Sequence, residues 1–108
     1  AQHIHRLCMY GVHMIRFEWS PAKNRSNLKK HEVSFEEAAS IFYYEVAVQF
    51  FDCENSTDED RYLMLGISNN GRLLIVSHCE KDAGTTIRII SARKATSTES
   101  QSYKRPRT

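Results

Sequence analysis

The order of segments along the chain predicts an α+β fold, and three observations carry that prediction. A strand is followed by two helix starts with clear caps. A run of strands comes next, two of them joined by a tight-turn signal, and a short helical segment closes the pattern. There are no internal repeats. The helices should cover one face of a mostly antiparallel sheet, and nothing in the sequence is left to cover the other.

Taken in order, residues 1–13 show no clean period, and three of the five histidines lie there. They are expected to be an N-terminal extension, poorly ordered or tag-like. A single domain is expected over residues 14–103, with a basic tail at 104–108. "IRFEW" (Ile15 to Trp19) alternates apolar and charged residues, as a half-buried strand does. Ser20 then serves as N-cap and Pro21 as the first residue of a helix running to about His31. Lys23, Asn27, Lys30 and His31 fall at i, i+4, i+7 and i+8, on one side of that helix. "VSFEEAASIF" opens a second helix with a capping box, Ser34 and Glu37, and a staple pair, Val33 and Ala38. Phe35, Ala38, Ala39 and Phe42 make its core stripe. "VAVQFF" reads as a strand and "DCENSTDED" as an acidic loop. "RYLMLGIS" and "RLLIVSHCE" are strands joined by "NNG", a hairpin signal. "KDAG" turns the chain into a last strand, "TTIRIISA", and "TSTESQSY" offers the closing helix.

Composition bounds the function. The chain has 108 residues, 41% hydrophobic and 26% charged, which suits one compact domain with one core. No apolar run approaches the roughly 18–20 residues that cross a bilayer, so no membrane partner is expected. Cys8, Cys53 and Cys79 are odd in number, widely spaced and form no CxxC pair, which favours reduced thiols in a cytoplasmic protein over a disulfide framework or a zinc site. No metal site is expected.

Net charge is only +2, but its distribution is uneven. Pro21 to His31 holds four Lys or Arg and no acid, Asp52 to Asp60 holds five acids, and Arg88 onward holds six basic residues against Glu99 alone. The surface should be two-signed, with a basic region able to face phosphate.

"FEWSPAK", then "N", "KH", "VSFEEA", "RYLMLG", "RLLIVSH" and "RIISARKAT…E…Y" together resemble the BrnT family of type II toxins, in order from about Met14 to Tyr103. The resemblance implies a RelE-like ribonuclease fold and a toxin that cuts RNA without a cofactor and inhibits translation. It also implies a cognate antitoxin with a ribbon-helix-helix DNA-binding domain, operator DNA being bound only through that partner. Two positions depart from the family pattern. Ser20 stands where Asp is common, which matters little because Ser caps equally well. Glu32 stands where Gly is common, which strains the turn between the helices if that position needs positive φ.

Cutting RNA without a metal requires removing the 2′-OH proton, neutralising the phosphorane and protonating the 5′-oxygen. Arg61, Arg88 and Arg93 are the candidates for the second task, since the guanidinium fork matches two phosphate oxygens. In an unbroken strand Arg88 and Arg93 point to opposite faces. They can serve one cleft only if the strand ends or bulges near Ser91, and a bulge is expected there. The structural reading of Arg88 is a salt bridge to Asp58 or Glu59. His78 and Glu80, at i and i+2, are candidates for proton transfer, the alternative being a strand histidine in line with Val76 and Leu74. Lys23, Asn27, Lys30, His31 and Lys94 are candidates to hold the RNA backbone, against a solvated helix face. Trp19 fits core better than base stacking. Glu37 is explained by its cap. Glu99 and Tyr103 are expected to pack or pair with the body of the domain. The competing function is a non-catalytic RNA- or protein-binding module, an inactive toxin homologue acting as corepressor.

Overall fold

The computed structural model describes the backbone of residues 3–10 and 13–104 and the side chains of residues 15–103. The chain is α+β with a mixed sheet and three α-helices, the last C-terminal. The strands are β1 (His3–Tyr10), β2 (His13–Trp19), β3 (Val48–Phe51), β4 (Tyr62–Ile67), β5 (Leu73–Lys81) and β6 (Thr86–Lys94). The helices are α1 (Pro21–His31), α2 (Phe35–Ser40) and α3 (Ser97–Lys104). The sheet order is β1-β2-β6-β5-β4-β3. All neighbours are antiparallel except β2 and β6, which run parallel.

Local chemistry explains most of these elements. Ser20 Oγ accepts from Lys23 N–H at 3.3 Å, and Pro21 occupies the first turn of α1. Ser34 Oγ accepts from Glu37 N–H at 3.0 Å and starts α2. Ser68 and Arg72 close the β4–β5 hairpin, with Gly71 at φ 75° supplying the left-handed turn. Thr96 and Glu99 form a reciprocal capping box on α3, at 2.8 and 3.2 Å.

The core lies between the sheet and α1–α2. Phe17, Trp19, Val33, Phe35, Ala38, Ala39 and Ile41 are all fully buried, against Leu74, Val76, Ile87, Ile89 and Ala92 of the central strands. Trp19 meets Phe35 edge-on at 6.0 Å, so it is core, as its place at a strand end suggested.

Three features differ from the sequence reading. Residues 1–13 show no period in the sequence, yet His3–Tyr10 pairs with β2 as an edge strand. The second sheet face is not bare. α3 lies over part of it, beside a notch lined by Phe50, Leu63, Leu65 and Ile75. Of the basic tail, Lys104 ends α3, and residues 105–108 lie outside the described residues.

Glu37 also does more than cap. Its carboxylate, buried, accepts from Ser68 Oγ–H at 2.6 Å and from Arg72 Nε–H at 2.9 Å, and pairs with a second Arg72 nitrogen. The Arg72 guanidinium holds its pKa below the usual carboxylate range. Arg72 in turn donates to the Glu32 carbonyl at 2.9 Å. The network ties the α1–α2 corner to the β4–β5 hairpin.

Candidate nucleic-acid interface

The site is built on a break in β6. Ser77 of β5 pairs with Ser91, and His78 pairs with Ile89, so Ile90 is an extra residue. This is the bulge that the two arginines required. Ile87 and Ile89 face the core before it, and Ala92 faces the core after it. Arg88 and Arg93 therefore emerge on the same, opposite face. Cross-strand pairing agrees: Arg88 stands opposite Cys79, and Arg93 opposite Ile75.

The bulge is held by α1. Asn27 Nδ2–H donates to the Ala92 carbonyl at 2.8 Å, and Asn27 Oδ1 accepts from Ala92 N–H at 3.1 Å. A further bond runs from Asn27 to the Val33 carbonyl at 2.8 Å. Asn27 is buried, so its expected role as an RNA contact is corrected: its polar atoms are turned to backbone. Asn27 is the inward member of the stripe, and Lys23 and Lys30 flank it one helical turn away on either side.

Three adjoining depressions run along α1 and β6. The first is lined by Ser20, Lys23, Glu59, Arg61, Arg88 and Ile90. The second shares Lys23 and continues past Ser26, Asn27 and Ser91 to Lys30 and His31. The third shares Lys30 and His31 and reaches Lys29, Glu32, Arg93 and Lys94. The groove thus gathers Arg61, Arg88, Arg93, Lys23, Lys30, His31 and Lys94 from three segments of the chain: α1, the loop before β4, and β6. Lys23, Lys30 and His31 make no ion pair among the described residues.

Both strand arginines are held by carboxylates. Arg88 pairs with Glu59 of the acidic loop, one of the two partners the sequence named. The Cys79 thiol also donates to Glu59, and Arg88 lies 3.6 Å from the Cys79 sulfur. Glu59 is pulled below the ordinary carboxylate range although its partial burial works the other way, because Cys79, Arg88 and Arg61 favour the charged form. Burial pushes the Cys79 thiol up, so it is not a reactive thiolate. Arg93 takes both oxygens of Glu99, at 2.8 and 2.9 Å. That fork, with the cap bonds from Thr96, lowers the Glu99 pKa to about 2. Lys94 pairs with Glu32 at 3.3 Å on the open surface. Tyr103 anchors the end of α3, donating to the Val46 carbonyl at 2.8 Å.

His78 does not join this site. It is fully buried on the core face, edge-on to Phe42 at 4.8 Å and stacked on Tyr62 at 5.9 Å. Its Nε2 lies 3.1 Å from Gln49 Oε1 and its Nδ1 3.3 Å from the Val76 carbonyl. Burial lowers its pKa and keeps the ring neutral. A strand histidine between apolar neighbours has the core parity, and that parity decided its fate. Glu80 shares its face at the exposed end of β5 and likewise lies away from the arginines. Glu59 was visible in the sequence only as a salt-bridge partner. Its membership of the cation cluster follows from Arg61 preceding Tyr62, which pairs with His78, so that Arg61, Cys79 and Arg88 line up across the sheet.

Among the described residues no group of three His, Cys, Asp or Glu could hold a metal, and no helix is long and apolar enough to cross a membrane. The chain matches the family model described as "Ribonuclease toxin, BrnT, of type II toxin-antitoxin system" over residues 19–99, from the end of β2 to the capping glutamate of α3. No curated protein matches it.

Proposed function

Because the chain belongs to the BrnT family of ribonuclease toxins of type II toxin–antitoxin systems, we propose that it cuts RNA without a metal in the groove between α1 and β6. The observation that carries this reading is the bulge at Ile90, which brings Arg88 and Arg93 to one face beside the cations of α1. Fixed guanidinium groups can neutralise the phosphorane in the absence of a metal, and a rigid strand positions them without reorganisation during the reaction. Arg88 and Arg61 are assigned to the scissile phosphate. Lys23, Lys30, His31, Arg93 and Lys94 are assigned to the flanking backbone. Arg93 and Arg88 would exchange their carboxylate partners for phosphate oxygens when RNA arrives.

The family implies an antitoxin partner and an RNA target. We take that antitoxin to carry a ribbon-helix-helix domain through which operator DNA is bound, and the fold to be RelE-like. The toxin would act on translation in the cytoplasm. The test is incubation of the purified chain with RNA in chelator. Cleavage by wild type and its loss in Arg88→Ala, with folding retained, support the enzyme. Binding without cleavage points instead to a non-catalytic module.

A further inference from the structure

We propose that Glu59 is the general base, the group that takes the 2′-OH proton in the cleavage that the proposed function assigns to this groove. Three observations carry it. Glu59 is the acidic residue lining the depression that holds Lys23, Arg61 and Arg88. It is half exposed, with 42% of its side-chain surface open, so a substrate can reach it. The histidine expected to move protons is sealed on the other face.

The surroundings suit the task. Arg88 from β6, Cys79 from β5 and Arg61 from its own loop face the carboxylate, and Lys23 from α1 lines the same depression. These groups keep Glu59 deprotonated at neutral pH, so it is ready to accept a proton. The loop that carries it is closed on itself: Asp52 N–H donates to the Arg61 carbonyl at 2.8 Å, and Ser56 Oγ accepts from Arg61 N–H at 2.9 Å. In the free protein Arg88 is engaged by Glu59. A phosphodiester that draws Arg88 to its own oxygens leaves the carboxylate beside the ribose and weakens the interaction that depresses its basicity.

The step balances as follows. Glu59 takes the proton of the 2′-OH, and the 2′-oxygen bonds to phosphorus. The bond from phosphorus to the 5′-oxygen breaks, and that oxygen takes a proton from solvent. Glu59 then returns its proton to solvent. The products are a 2′,3′-cyclic phosphate and a 5′-hydroxyl, and no oxidant, reductant or metal takes part.

The experiment uses the full chain and a single-stranded oligoribonucleotide in chelator. Glu59→Gln keeps the size of the side chain and removes the proton acceptor. Its cleavage rate should fall about 10²–10⁴-fold, while RNA binding stays equal or tightens because a competing anion is gone. The acidic limb of the pH–rate profile should disappear with it. Glu59→Asp should retain part of the rate. Thermal melting checks that each variant is folded. A Glu59→Gln chain that cuts within a few-fold of wild type overturns the proposal and leaves Glu59 a partner of Arg88 only. A wild-type chain that binds RNA but cuts none in chelator overturns the proposed function itself, and the base with it.

Discussion

Asn27 on α1 holds both the N–H and the carbonyl of Ala92, 65 positions away and just past the bulge in β6. One buried side chain thereby fixes the helix that carries the lysines to the strand that carries the arginines. Asn27→Ala would leave the Ala92 N–H and carbonyl and the Val33 carbonyl without their partner. The expected loss is about 2–4 kcal/mol of unfolding free energy, given roughly 1–3 kcal/mol per stranded polar group without full additivity. Urea denaturation measures it. An unchanged midpoint would mean that the bulge is held by β5 alone.

Lys23 and Lys30 are assigned to phosphate, and such contacts carry a signature in salt. Lys23→Ala and Lys30→Ala should each weaken binding to RNA regardless of its sequence. Each should reduce the slope of log K against log salt by about 0.7 for a single strand. Filter binding across a salt series reads this directly. A slope equal to that of wild type would return both lysines to an ordinary solvated face.

His78 is buried and neutral, so its removal should affect folding and not chemistry. His78→Ala is expected to cost about 2–4 kcal/mol through the cavity it leaves beneath Phe42 and Tyr62. At a temperature where the variant is folded, its cleavage rate should match wild type. A rate loss of a hundredfold in a folded variant would restore the histidine to the mechanism.

Glu32 ends α1 at φ 61°, ψ 30°, the left-handed region in which a side chain is strained. Glycine adopts it freely, and the Arg72 bond at this residue goes to its carbonyl, which glycine retains. Glu32→Gly should therefore stabilise the fold by about 0.5–1 kcal/mol. It also removes an acid from the groove beside Lys30 and Arg93, so RNA binding should tighten. A lower melting temperature would count against the strain.

Stability should respond to acid through the Arg93–Glu99 pair. The Glu99 carboxylate is depressed from 4.5 to about 2, so its contribution is complete above about pH 4.5 and is lost as the pH falls towards 2. Both partners are a third or more exposed, and screening limits the contribution to about 1 kcal/mol. Glu99→Gln should remove that part of the acid sensitivity, leaving the part due to Glu37, whose carboxylate is depressed by Arg72. Urea unfolding at pH 2.5 and pH 6 gives both values.

Periodicity and caps are local, and they made the elements legible. Ser20, Pro21 and the Ser34–Glu37 start gave both helices, and "NNG" gave the hairpin. The bulge could be argued from parity because Arg88 and Arg93 otherwise face apart. Its use of Asn27 as a clamp could not, since spacing on a helix says which residues share a side but not which one turns inward. Glu37 shows the same limit. Its cap was readable, but its bonds to Ser68 and Arg72 join positions more than 30 residues apart. For His78 the sequence offered two readings, proton transfer and a core place in line with Leu74 and Val76, and parity alone does not say how deep a strand position lies; the burial does.

The parallel pairing of β2 with β6 has a kinetic meaning. Arg16 aligns with Thr86 and Glu18 with Arg88, so β2 lacks this central neighbour until some 70 residues later. Such distant pairings close slowly and late. While the chain is being made, the helix lysines and the strand arginines are not yet assembled. The groove between α1 and β6 therefore comes into being only once β6 has emerged and paired with β2.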